Sequence, residues 1–152
     1  MKRFCLCLLL LAIAGCEKEN PVHGSVYLIL DLGLQGRDRA LLGIPSHKTY
    51  SYAKLGQEFH LRPDERIGLG GLLVVHTPVD TYCAFDLACP NEPTPNRNAI
   101  VEVDKDGLNA VCSHCGTKYQ IMDGTGIALE GKKFGLRSYP VMMSGNKGVV
   151  TN

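Results

Sequence analysis

The sequence predicts an all-β domain, an antiparallel sandwich or barrel. Three observations carry this. Short runs rich in β-branched and aromatic residues recur about ten residues apart. They are separated by turns built on aspartate, asparagine and glycine, residues that tolerate left-handed backbone. Beyond the N-terminal apolar segment, no stretch shows a helical period. A chain of 152 residues suffices for one domain around one core, and it contains no internal repeat or low-complexity tract.

The N-terminus stands apart from this pattern. Met1-Lys2-Arg3 forms a short positive region, Phe4 to Ala14 an apolar run, and Ile13-Ala14-Gly15-Cys16 closes it. This resembles a bacterial lipoprotein signal, with Cys16 lipidated as the first mature residue. The run is too short for a membrane span, which needs about 20 apolar residues. The expected organisation is therefore signal over 1–15, lipidated tether over 16–24 and domain over 25–152. That organisation places the protein in the bacterial cell envelope, anchored by lipid outside the cytoplasm, on the periplasmic or surface face and in the outer membrane.

Within the domain, Val26 to Leu30 reads as a buried strand bounded by Gly24 and Asp31-Leu32-Gly33. Gln35 to Ser46 is punctuated by Gly36, Gly43 and Pro45 and reads as loop, with a helical turn at Arg39 to Leu42. Thr49 to Tyr52 and Gln57 to Leu61 suggest short strands, and Pro63-Asp64 a turn. Gly68 to Gly71 precedes a strand and reads as a turn, not a phosphate loop. Leu72 to His76 and Thr81 to Phe85 form a predicted hairpin across Thr77-Pro78-Val79-Asp80. Ile100 to Val103 and Leu108 to Val111 flank Asp104-Lys105-Asp106-Gly107, a strong turn sequence. A last hairpin turns through Ser144 to Gly148.

Charge and side-chain inventory exclude several functions. The formal charge is +1, and losing Lys2 and Arg3 turns it slightly negative, so no nucleic-acid footprint is present. No serine, cysteine and histidine arrangement suggests nucleophilic catalysis, leaving at most an electron-transfer component. Asp86, Glu102, Asp104 and Asp106 lack the downstream glutamate of a calcium loop, so the run reads as a solvated hairpin tip. His23, His47, His60 and His76 are scattered and lack ligand spacing.

The chemistry lies in the cysteines. Cys112-Ser113-His114-Cys115-Gly116 is a C-x-x-C-G knuckle, in which two thiols chelate one ion only if the backbone turns tightly, helped by the glycine. Thr117 to Ile121 alternates like a strand, unlike the helix that continues from a thioredoxin-type pair. Removing Cys5 and Cys7 with the signal and committing Cys16 to lipid leaves Cys83, Cys89, Cys112 and Cys115. These allow three disulfide pairings, one tetrathiolate site, or mixtures.

Residues 68–151 also resemble the Rieske iron–sulfur domain family. Ala84-Phe85-Asp86-Leu87-Ala88-Cys89-Pro90 is similar to its first cluster loop, and Cys112 to Tyr119 to its second. Asp123-Gly124-Thr125-Gly126, Glu130-Gly131 and Leu136 to Val141 resemble the family's segments downstream of the second loop. The resemblance implies a Rieske-like antiparallel sandwich or barrel with a small tip made of the two cysteine-bearing loops. It places the first loop's ligand cysteine and histidine on Ala84 and Asp86, and the second loop's on Cys112 and Cys115. It sets Cys89 at a disulfide position whose partner falls on His114. A Rieske centre holds its second iron by two histidines, so the implied [2Fe–2S] site is degenerate.

The metal or disulfide candidates are accordingly Cys89, Cys112, Cys115 and Cys83, with Cys83 expected to face away from the tip. His114, Thr117, Tyr119 and Asp86 are candidate supporting groups around them. Zinc or no metal is expected, with an iron–sulfur cluster implied by the resemblance only. The expected function is a membrane-anchored, non-catalytic binding or structural module with an envelope protein or redox partner. The alternative is an electron carrier with unusual cysteine ligation.

Overall fold

The computed structural model describes residues 19–152, so the lipoprotein signal and Cys16 lie outside the described residues. The all-β expectation holds: among the described residues eleven strands form three antiparallel sheets, and the helical content is two short 3-10 turns, Arg39–Leu42 and Tyr52–Lys54.

The first sheet is built from β1 (Val26–Asp31), β3 (Arg66–Ile67), β10 (Val141–Ser144) and β11 (Lys147–Thr151), in the order β10-β11-β1-β3. The second holds β2 (Ser46–Ser51), β4 (Gly71–His76), β5 (Tyr82–Asp86) and β9 (Ser138–Tyr139), in the order β2-β4-β5-β9. The third is a small sheet of β6 (Val101–Val103), β7 (Asn109–Cys112) and β8 (Lys118–Gln120).

The second sheet is the middle layer. Because side chains alternate across a strand, Leu72 and Val74 of β4 pack with Val26, Leu28 and Leu30 of β1, Val150 of β11 and Tyr139 of β9. Leu73 and Val75 point the other way, into a second core with Phe85, Val101, Ala110, Tyr119 and Ile121. Every residue of β4 is buried, whereas β1, read from its composition as a buried strand, buries alternate positions, Val26, Leu28 and Leu30.

The predicted hairpins form at nearly the predicted positions. β4 and β5 pair from His76↔Tyr82 to Leu72↔Asp86. In the β6–β7 turn, the Asp104 carboxylate accepts the backbone amides of Leu108 and Asn109 while Gly107 takes a φ of 72°. The strand expected over Gln57 to Leu61 does not form. Gly56, at φ 83°, folds the chain back so that its amide bonds Phe59 O, and Phe59 plugs the core edge-on to Tyr50. That stretch makes turns and a single bridge, Leu55↔Phe59.

A buried ionic network closes one side of the first core. Arg37 makes two hydrogen bonds, each 3.0 Å, to the carboxylate of Glu65, which also accepts the amides of Ile29 and Arg62. Asp38 beside it accepts Tyr50 Oη at 2.6 Å and Lys48 Nζ at 3.0 Å. Each buried carboxylate thus has a cation and further donors, the condition under which a buried charge is tolerated.

Candidate metal centre

The third sheet brings two loops to one point. The first leaves β5, and its Cys89 amide bonds Ala99 O while Ala88 bridges Ile100, tying the loop to the edge of β6. The second is the β7–β8 knuckle: Cys112 N bonds Thr117 O at 2.9 Å, and Gly116 N bonds Cys112 O at 2.8 Å. Gly116 has a φ of 72°, the left-handed turn that a glycine after C-x-x-C supplies without strain.

Four ligand atoms converge there, one each from Cys89, Glu92, Cys112 and Cys115, all within 4.8 Å of one another. Cys89 Sγ and Cys115 Sγ are 3.6 Å apart, and Cys112 Sγ lies 3.7 Å from Glu92 Oε1. A tetrahedral zinc ion sets thiolate–thiolate edges at about 3.8 Å and thiolate–carboxylate edges at about 3.6 Å, from its ordinary bond lengths. Those two edges are close to the ones that a single ion sets, and the remaining donor pairs lie within 4.8 Å. A two-iron cluster spreads its ligands over two metal atoms and, in a Rieske centre, requires two histidines. This donor set has neither the spread nor the imidazoles.

The surroundings tune each donor. Burial pushes the Cys89 thiol up to about 12, despite the Tyr119 hydroxyl 3.0 Å away. Burial also raises Cys112. At Cys115 burial opposes ionisation too, but the Thr117 hydroxyl at 3.0 Å, the Thr117 amide and the neighbouring thiols outweigh it and lower the pKa. Glu92 is oriented from outside by His114, whose Nδ1 lies 3.2 Å from Oε2 and whose side chain is 73% exposed. Such outer partners fix a ligand's direction.

The structure places the remaining candidates elsewhere. Cys83 is half-buried on the same face of β5 as Phe85, not facing away, but it is six residues from Cys89, about 20 Å of extended chain. It packs against Gly124. Asp86, on the opposite face, is fully buried at the end of β5, accepting the amides of Leu69, Gly70 and Ala88 and the Tyr139 hydroxyl. It is a post that holds the Gly68–Gly71 turn, and Ala84 beside it is core. The four cysteines of the described residues are free thiols.

Sequence reasoning missed Glu92. The signal was present, since Cys89-Pro90-Asn91-Glu92 has the same two-residue spacing as Cys112-Ser113-His114-Cys115. Two loops of one spacing converge on one set of donors. The Rieske ligand pattern is not reproduced, and the tip instead gathers four donors of a different kind that could hold one metal ion.

The fold and the site together define an all-β domain with a thiolate-rich metal centre at the junction of two loops. No family model and no curated protein matches the chain. Among solved structures it is similar to the cyanobacterial plasma membrane Rieske protein PetC3 from Synechocystis PCC 6803, at 21% identity and a TM-score of 0.44 over 69% of this chain and 99% of that one.

Proposed function

We propose that this chain is a lipid-anchored protein of the bacterial cell envelope whose Rieske-like domain closes its tip around a single zinc ion. Cys89, Glu92, Cys112 and Cys115 hold the ion, and the domain works as a binding module, not as an enzyme. The observation that carries this reading is the convergence of four donors within 4.8 Å from two loops of matching spacing. Four protein donors complete a tetrahedron, which makes a closed, structural site: it leaves no position for a substrate or an activated water. The metal ties the first loop to the knuckle and fixes the surface they share, which a partner in the envelope would read. Anchoring rests on the lipoprotein-like stretch ending at Cys16; among the described residues no helix is long and apolar enough to cross a membrane.

A second reading, electron transfer, is favoured by the softness of three thiolates, which suit iron as well as zinc. Metal analysis and a visible spectrum of protein purified from its own membranes decide between them. One zinc per chain in a colourless protein supports the zinc site. Iron, with visible absorption bleached by dithionite, establishes the carrier instead. Absence of both metals together with a loss of free thiols would show that the tip is closed by a disulfide.

A further inference from the structure

We infer that the cysteine tip is held against the same lipid surface that carries the anchor, with Ile127 and the 130–134 loop as the contacting face. This rests on the lipid-anchor reading above and goes beyond it by assigning an orientation.

The chain enters the domain beside the tip. Asn20 Nδ2 donates to Gly135 O at 2.9 Å, and the Val22 amide bonds Asn20 Oδ1 at 3.0 Å, with Val22 fully buried behind it. Cys16 precedes Asn20 by four residues, and a chain of that length spans at most about 14 Å. A lipid on Cys16 therefore keeps Asn20 within that reach of the headgroups, with Gly135 one side chain and one hydrogen bond further on.

Gly135 is coupled to the metal loop through Phe134 and Asn91. Asn91 Nδ2 donates to Phe134 O at 2.7 Å and to Tyr119 Oη at 3.0 Å, and the Phe134 amide donates to Asn91 Oδ1 at 3.1 Å. Tyr119 in turn meets Cys89 Sγ. A continuous run of hydrogen bonds thus joins Asn20 and the loop to Cys89.

The face so presented has the chemistry of a surface that touches headgroups. Ile127, 56% exposed, lies against Gly135. Glu130 and Gly131 both take left-handed backbone, at φ 63° and 68°, and the exposed Lys132 and Lys133 follow, with the Lys133 ammonium 5.2 Å over the ring of the half-buried Phe134. Apolar side chains flanked by lysines reach into the interfacial layer while their charges stay among the phosphates. Glu130 is the opposing acid of that loop. The far end of the molecule is different: Leu34 lies beyond the end of β1, whose six residues extend about 20 Å from the side where the chain enters.

The chain has no tryptophan, so one substitution makes a unique reporter. Lipidated full-length Ile127→Trp and Leu34→Trp proteins are reconstituted into phosphatidylcholine and phosphatidylglycerol vesicles containing a lipid brominated near the headgroup. Phe134→Trp serves as a second probe of the near face, and retention of wild-type circular dichroism qualifies each variant. The expected result is that all float with the vesicles, that the Ile127→Trp and Phe134→Trp proteins lose most of their emission, and that the Leu34→Trp protein loses none. Flotation with the near-face probes unquenched, or with the Leu34→Trp protein quenched in their place, overturns the orientation and leaves the anchor standing. Failure of the wild-type chain to float overturns the anchor and the orientation with it.

Discussion

The Tyr119 hydroxyl bridges the two halves of the tip, lying 3.0 Å from Cys89 Sγ and accepting Asn91 Nδ2 at the same distance. All of these groups are wholly or partly buried, and burial raises the Tyr119 pKa, so the phenol stays neutral and remains a donor. Tyr119→Phe removes the oxygen without changing the ring's packing, leaving a buried thiol and an amide N–H without their partner. The metal-free domain should lose about 1–2 kcal/mol. In urea this is a lower midpoint with an unchanged slope.

Glu92 separates the metal reading from a purely structural one. Glu92→Gln should weaken zinc binding, measured by competition with a chromophoric chelator, by more than the about 10–100-fold that loss of a ligand's supporting partner costs. Glu92→Cys, which completes a four-thiolate set of the kind found in structural zinc sites, should retain tight binding. Equal affinity for the Gln variant and wild type would remove Glu92 from the ligands.

The sequence disclosed what is local. The β4–β5 and β6–β7 hairpins and the knuckle depend on turn chemistry and alternation within a dozen residues, and their positions were readable. Glu92 was not, because a carboxylate at the end of C-P-N-E has no thiol or imidazole to mark it, and only the fold brings it to Cys112. Asp86 looked like a displaced ligand until the pleat set it on the face opposite Phe85. Strand-like composition over Gln57 to Leu61 misled because a strand needs a partner, and Gly56 turns the chain away from any.

Asp86 should be among the costliest residues to remove. Asp86→Ala strands three backbone amides and the Tyr139 hydroxyl in the interior, and a loss of about 3 kcal/mol or more in chemical denaturation is expected. Zinc per folded chain should be unchanged, since this carboxylate is not at the tip.

Acid should act through Glu65. Burial disfavours its charge, but the bidentate Arg37 and the amides of Arg62 and Ile29 outweigh that and hold its pKa below the ordinary value of 4.5. A carboxylate with a depressed folded pKa adds stability above its unfolded pKa and loses it as pH falls through the folded one. Stability should therefore be level with respect to this group above about pH 5 and fall below about pH 4.5, with a shallower fall in Glu65→Gln. Arg37→Ala should cost about 3 kcal/mol at neutral pH, the lower end for breaking a buried pair, since the guanidinium side chain keeps 22% exposure.

Strand β4 bears on how such a tip is inherited or engineered. Its alternate residues serve two cores: Leu72 and Val74 support the sandwich, while Leu73 and Val75 roof the small sheet that carries the donors. The metal tip is therefore not a cassette. A graft that takes only the two loops leaves behind the wall they stand on, and a host would have to supply the other face of a strand like β4. The same sharing makes neighbouring positions into separate gauges: a truncation at Val74 reports on the sandwich, and one at Val75, a single residue along, reports on the tip.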